Sequence, residues 1–236
     1  SKITGCKVVY DFRVQDVELG GQGAPLVPIG DELLFANYDF CLNLGGFVNV
    51  SFKENNTRKA FDICPINIVL NHYMNTIDKK YDDKGFLAKT GNVNTELLNK
   101  LNADDYFKRP LPKSLGYEFV VENVLPLVNA ADLELKDVLR TYTEHVAIKI
   151  SEVLNKKVIS KTLITGGGAF NDFLIERIQS LTSSQIIIPQ KELVEFKEAL
   201  IFSLLAVLRL ENKPNCLKSV TGASQDHSSG KVVFIG

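Results

Sequence analysis

The chain of 236 residues has no surplus of charge of either sign: 27 Lys and Arg stand against 28 Asp and Glu, for a net charge of −1, with no block of like charges. Nucleic-acid backbones and anionic membrane surfaces are gripped by concentrated positive charge. Neither nucleic acid nor membrane is therefore expected as a partner. Long apolar runs are missing as well. The most apolar window, Ala199 to Leu208, stops at Arg209, well short of the roughly 20 residues that a bilayer-spanning helix requires, and it reads as a buried helix. No positively charged leader followed by an apolar stretch opens the sequence, which sets the expectation of a cytoplasmic protein.

Cysteine and histidine are sparse and scattered. Cys6, Cys41, Cys64 and Cys216 form no C-x-x-C pair, and a chain of this size builds its core without disulfides, so reduced thiols are expected. His72, His145 and His227 lie far apart and give no H-E-x-x-H pattern. No metal site is expected from such spacing, and the histidines read as ordinary core or surface residues. A Gly-x-Ser-x-Gly elbow and a Gly-x-x-x-x-Gly-Lys-Ser/Thr loop are both absent, which sets aside acyl transfer and the P-loop NTPases.

What is present is a series of short apolar strands punctuated by glycine turns, in a composition that is 45% hydrophobic. Lys7 to Phe12 reads as a strand apolar on both faces in its middle, a type usual in parallel sheets. With no neighbours supplied upstream, its backbone is expected to be unpaired and its side chains exposed. Phe40 to Leu44 and Phe47 to Phe52 read as strands joined by Gly45-Gly46, and Lys59 to Asp62 as a third after the polar Glu54 to Arg58 turn. From Ile68 to about Val158 the pattern is mainly helical, with apolar residues near helical spacing over Asp137 to Leu154 and breaks at Pro110 and Pro112. Strand character returns at Thr162 to Ile164, followed by a helix over Asp172 to Leu181, a short strand over Gln185 to Ile188 and a long apolar helix over Glu192 to Leu210.

Three strands, a helix, a strand, a helix, a strand and a helix is the order of one lobe of the actin-like (ribonuclease H-like) ATPases. The expected fold class is therefore α/β, with a mixed sheet and a helical insertion. Residues 1–38 are expected to end a first lobe, and residues 39–236 to form a second lobe carrying the insertion at about 68–158.

Several segments have the chemistry of a ligand site. Gly166-Gly167-Gly168-Ala169-Phe170-Asn171 lies between a strand and a helix and suits either ligand contact or a plain tight turn. Asn43-Leu44-Gly45-Gly46-Phe47-Val48-Asn49 suits a loop folded over phosphate oxygens or a hairpin with capping asparagines. Asp62, placed at the end of the third strand, is a candidate proton acceptor or a helix cap. Asp11, Arg13 and Asp16 either orient sugar hydroxyls or form a surface ion-pair cluster.

Taken together, Asp11-Phe12-Arg13 with Asp16-Val17, the run Gly20-Gly21-Gln22-Gly23-Ala24-Pro25-Leu26-Val27-Pro28, Asn43-Leu44-Gly45-Gly46 with Asn49, and Phe61-Asp62 resemble the signature of the anhydro-N-acetylmuramic acid kinases. So do Pro112-Lys113-Ser114 with Gly116 and Glu118, Gly166 to Asn171, Glu198-Ala199 and Thr221-Gly222-Ala223. The Gly20 to Pro28 run is the most specific, because the general sugar-kinase fold does not carry it.

The resemblance implies an ATP- and Mg²⁺-dependent kinase. Such an enzyme hydrolyses the 1,6-anhydro ring of its amino sugar and transfers the γ-phosphate to O6 to give N-acetylmuramic acid 6-phosphate, a step in cytoplasmic cell-wall recycling. It further implies Asp62 as the base that activates water, and Asn43, Gly45, Gly46 and Asn49 near the phosphates. Gly166, Gly167, Gly168 and Asn171 would lie near the adenosine, and Arg13, Asp16 and Gln22 in the sugar cleft. Glu198, taken to open the last long helix, is either a further cleft residue or a dipole-compensating charge. The expected partners are the amino sugar and ATP, with a homodimer admitted. Two departures stand out: Cys64-Pro65-Ile66-Asn67 replaces the usual Gly-Pro-Gly-Asn, and Tyr117 stands where Arg is usual. Family members also begin with a glycine- and Ser/Thr-rich phosphate loop and further strands, which are expected to be missing here. The alternative is a non-catalytic fragment or sugar/nucleotide-binding module.

Overall fold

The computed structural model describes residues 5–233. After strand β1 (Val8–Tyr10) come helices α1 (Val14–Glu18) and α2 (Pro28–Leu34), then strands β2 (Phe40–Leu44), β3 (Phe47–Glu54) and β4 (Thr57–Pro65). The helical insertion holds α3 (Asn67–Met74), α4 (Phe86–Thr90), α5 (Thr95–Asn102), α6 (Tyr117–Phe119), α7 (Leu125–Asn129) and α8 (Leu135–Leu154). It is followed by β5 (Lys161–Thr165), α9 (Asp172–Leu181), β6 (Gln185–Ile187), α10 (Lys191–Leu210), α11 (Lys218–Thr221) and β7 (Lys231–Val233). From β2 onward this is the strand and helix order expected of an actin-like lobe.

The main sheet is five-stranded and mixed, in the order β4-β3-β2-β5-β6. β2 and β5 run parallel with Asn43 opposite Thr165, and β5 and β6 run parallel with Thr162 opposite Ile186. Leu42, Leu44, Leu163 and Ile164 are fully buried, which is why these apolar runs occupy the centre. Between β3 and β4, Asn55 and Asn56 both adopt left-handed backbone (φ 49 and 60), the conformation that a two-residue hairpin turn requires and that asparagine tolerates. β4 extends through Pro65, so Asp62 lies inside the strand and not at its end. A proline without N–H is tolerated there because β4 is an edge strand.

The expectation for Lys7 to Phe12 needs correction. β1 joins no parallel sheet but pairs antiparallel with β7, Val8 opposite Val233 and Tyr10 opposite Lys231. Its backbone is thus paired, while Val8 and Tyr10 remain 37% and 47% exposed.

The chain divides into two compact units, one of residues 1–37, 51–61 and 196–236 and the other of residues 38–50 and 62–195. In the second, α8 is the central helix: Leu139, Val146, Ile150 and Leu154 are fully buried and Tyr142 donates its hydroxyl to the Pro65 carbonyl at 3.0 Å. Its Glu144 is gripped by Arg140 at 2.6 Å and by Arg177 of α9 at 2.9 Å. In the first unit, α2 and α10 approach closely at Gly30, where an added Cβ would stand 2.5 Å from Ile201. Beside it Asp31 accepts from Ser51 at 2.5 Å and pairs with Lys197 at 2.6 Å, all three buried. The expectation of a wholly buried last helix is corrected: Lys197, Ile201, Leu205 and Leu208 face inward at helical spacing, whereas Phe196, Leu200 and Val207 are exposed. Among the described residues no helix is long and apolar enough to cross a membrane.

Candidate active site

Asp62 sits near the carboxyl end of β4, with Asn49 near the start of the neighbouring strand β3. The Asn49 side-chain amide donates to Asp62 Oδ1, and the backbone N–H of Leu115 donates to Oδ2 at 2.8 Å. The segment carrying Leu115 is itself anchored, since Asp62 N–H reaches the Lys113 carbonyl at 3.5 Å. Tyr106 donates its hydroxyl to the Asp62 carbonyl at 2.5 Å, and the Lys113 ammonium lies 4.6 Å from the Tyr106 ring centroid. Burial raises the Asp62 pKa above its ordinary value; the Leu115 and Asn49 hydrogen bonds oppose this but do not cancel it. The helix-cap reading fails, because α3 begins at Asn67 behind Ile66 and neither Asp62 oxygen accepts from that helix.

Two glycine loops flank the carboxyl ends of β2 and β5. This is the point where the chain, having left β2 toward β3 and β4, resumes on the other side with β5 and β6. In α/β sheets such a switch point is where ligands bind. The first loop is pinned: Asn67 donates to the Leu44 carbonyl at 3.0 Å and the Gly45 carbonyl at 2.6 Å, while Gly46 O accepts from Ile66 N–H at 2.9 Å. In the second loop Gly166 has φ +84, and an added Cβ would fall 2.6 Å from Asn43 Oδ1. At Gly168 it would fall 2.7 Å from Leu44 Cβ. Gly167 meets nothing within 4 Å and is exposed. Two glycines thus let the loops approach each other, and the third presents open backbone. Asn171 caps α9 by accepting from Leu174 N–H at 3.0 Å.

The departures from the family motif are accommodated. Ile66 has a negative φ (−136), not the left-handed backbone that would demand glycine, and Ile66 and Cys64 are both fully buried. Burial also pushes the Cys64 thiol far up, so it stays protonated and inert.

In the other unit Asp16 is fully buried. It accepts from Gly23 N–H at 2.8 Å and from the Thr221 hydroxyl at 2.7 Å. An added Cβ at Gly21 would stand 2.2 Å from Asp16 Oδ2, so the Gly20 to Gly23 run is wrapped around this carboxylate. Arg13 donates to the Gly23 carbonyl at 2.6 Å and, like Gln22, is exposed. Asp11 pairs with Lys231 at 2.6 Å. Glu198 is exposed and stands two turns inside α10, which begins at Lys191. It does not open that helix, and compensation of the helix dipole, confined to the first turn, does not account for it.

An α/β sheet with two glycine loops at its switch point and a partly buried carboxylate at the same strand-end edge has the layout in which α/β proteins hold ligands. The particular family follows from comparison. The sequence model of the family described as anhydro-N-acetylmuramic acid kinase matches residues 1–235, and the chain belongs to that family. It is 38% identical over 246 residues to the anhydro-N-acetylmuramic acid kinase of Saccharophagus degradans, covering 98% of this chain and 65% of that protein. It is 34% identical to the one from Hydrogenovibrio crunogenus and 35% identical to the one from Vibrio cholerae, covering 98% of this chain and 66% of each relative. The chain thus spans about 65% of the length of these relatives. Among solved structures, an activator of 2-hydroxyisocaproyl-CoA dehydratase from Clostridium difficile with bound ADPNP aligns with 74% of this chain and 66% of its own. The match has 15% identity and a TM-score of 0.46, too distant to bear on the site.

Proposed function

We propose that the chain is the larger part of an ATP-dependent kinase that opens the 1,6-anhydro ring of anhydro-N-acetylmuramic acid and phosphorylates O6. One observation carries the reading. Asp62 is a partly desolvated carboxylate with a raised pKa, fixed by two N–H donors at the same sheet edge as both glycine loops. Those donors occupy one lone pair on each oxygen and leave others to accept a proton. Asp62 takes a proton from water as the water oxygen bonds to C1; the C1–O6 bond breaks, and O6 ends bonded to the γ-phosphorus of ATP with ADP as the other product.

Asn43, Gly45, Gly46 and Asn49 are assigned to the phosphate end of the nucleotide and Gly166, Gly167 and Gly168 to its adenosine. The open backbone at Gly167 and the close-set glycine loops are the cradle that favours this. Asn171 acts through its cap of α9, which fixes the loop. Mg²⁺, bound through the nucleotide's phosphate oxygens and water, would neutralise charge there and needs no carboxylate cage. Arg13, Gln22 and Glu198 are assigned to the sugar, with Asp16 holding the loop that presents Arg13 and Gln22. Residues 1–38 are taken as the end of a first lobe and 39–236 as the second; a cytoplasmic setting and a homodimer belong to the same proposal.

The test is coupled ADP release by the natural-length protein with and without anhydro-N-acetylmuramic acid. ADP release that depends on the sugar, with one phosphorylated product, is expected. ADP release indifferent to the sugar contradicts the assignment.

A further inference from the structure

We propose that Asp16, Cys216 and His227 form a binding site for a divalent cation of the zinc type. Asp16 comes from near the start of the chain and Cys216 and His227 from near its end; all three are buried and bring their ligand atoms within 4.8 Å of one another. Cys216 and His227 are cross-strand partners, exchanging backbone hydrogen bonds at 3.1 and 3.2 Å. Asp16 is held against them by Gly23 and Thr221.

The polarity of the imidazole is set by its surroundings. Nδ1 lies 3.2 Å from the Gln225 carbonyl, which can only accept, so this nitrogen carries the hydrogen. Nε2 then presents a lone pair, and it is buried without a hydrogen-bond partner. It faces Asp16 Oδ1 at 3.5 Å. Two acceptors facing each other in a buried place call for a cation between them, which either a proton on Nε2 or a metal ion supplies. In a tetrahedral zinc centre with bonds of roughly 2.0–2.3 Å, ligand atoms stand about 3.2–3.8 Å apart. The Asp16–His227 separation already fits, and the widest separation needs to close by about 1 Å.

Charge also balances. A carboxylate, a thiolate and a neutral imidazole together neutralise a dication, which suits a site where Asp16 is fully buried and Cys216 is 2% exposed. A cysteine ligates as its thiolate, so binding expels one proton from Cys216 to solvent. The carbonyl that orders Nδ1 is the kind of outer partner that fixes the tautomer of metal-binding histidines.

The probe is Co²⁺ titrated into the wild-type chain under reducing conditions, followed by Zn²⁺. Expected are one equivalent of tight Co²⁺, a thiolate-to-cobalt charge-transfer band with tetrahedral d–d bands, loss of both on adding Zn²⁺, and a higher Tm with Zn²⁺. Cys216→Ser should abolish the charge-transfer band and His227→Gln should weaken binding at least tenfold. Should Cys216→Ser fail to fold, Cys6→Ser decides, because it removes the solvent-exposed thiol and must leave the band intact. No band in the wild type, a band that survives Cys216→Ser, or a band lost in Cys6→Ser would each overturn the site.

Discussion

The backbone N–H of Leu115 lies 2.8 Å from Oδ2 of Asp62, across 53 residues of sequence. This contact ties the Pro112 to Gly116 segment of the insertion to the edge strand that carries the proposed base. With the Asn49 amide on the other oxygen, it fixes the orientation of the carboxylate while leaving it able to accept a proton. It also favours the ionised form against the desolvation that raises the Asp62 pKa.

Removing the Asn49 donor should therefore raise that pKa further. Asn49→Leu keeps the bulk and removes the hydrogen bond, so the acid limb of kcat/KM, where activity falls as Asp62 becomes protonated, should move to higher pH. A pH profile of the variant checks this. An unmoved limb would mean that Asn49 does not tune Asp62, or that Asp62 does not govern the limb.

The glycines of the second loop should separate by role. Gly166→Ala places a Cβ at positive φ and 2.6 Å from Asn43 Oδ1, so it should lose about 1–3 kcal/mol of stability. Gly167→Ala has open space around it and should stay within about 0.5 kcal/mol of wild type while weakening nucleotide binding. Thermal melts and nucleotide titrations of both variants measure this. Unchanged nucleotide affinity in Gly167→Ala would remove that residue from the adenosine site.

His145 gives a pH signature of stability. Burial and the nearby Lys149 lower its pKa from 6.5 to about 3, and its ring contacts Asn102 at 2.7 Å. The unfolded chain takes up a proton below pH 6.5 that the folded chain refuses until about 3, so stability falls as pH falls through that window, by at most about 1.4 kcal/mol per pH unit. His145→Gln should flatten the slope of urea midpoint against pH between 6 and 4. Parallel slopes in the two proteins would contradict the buried neutral imidazole.

The strands of the main sheet were legible because their apolar runs are bounded by glycine or asparagine turns, as at Phe40–Leu44 and Lys161–Thr165. Helix α9 follows its periodicity residue for residue from Asp172 to Leu181. Asp62 was singled out by its motif, but the strand that carries it runs on to Pro65 and the surroundings of its carboxylate were not legible. A backbone donor 53 residues away, at Leu115, leaves no side-chain signal, and the Tyr106 hydroxyl on the Asp62 carbonyl leaves only an aromatic in a helical stretch. The pairing of β1 with β7 joins the two ends of the described chain, beyond the reach of local pattern. The same holds for Asp16, Cys216 and His227, since ligand spacing in sequence reveals a metal site only when its ligands are close along the chain.

The central claim is that Asp62 is the base, and Asp62→Asn in the natural-length protein tests it most directly. Asn presents one oxygen and one amide where Asp62 now accepts from Asn49 and Leu115. With its oxygen toward Leu115, the Asn49 amide can turn to accept from the new one. Stability should then change by only about 1 kcal/mol. ADP release with the anhydro-sugar should fall roughly 10²–10⁴-fold while sugar binding stays close to wild type. Near-wild-type turnover in a folded Asp62→Asn protein would contradict the account.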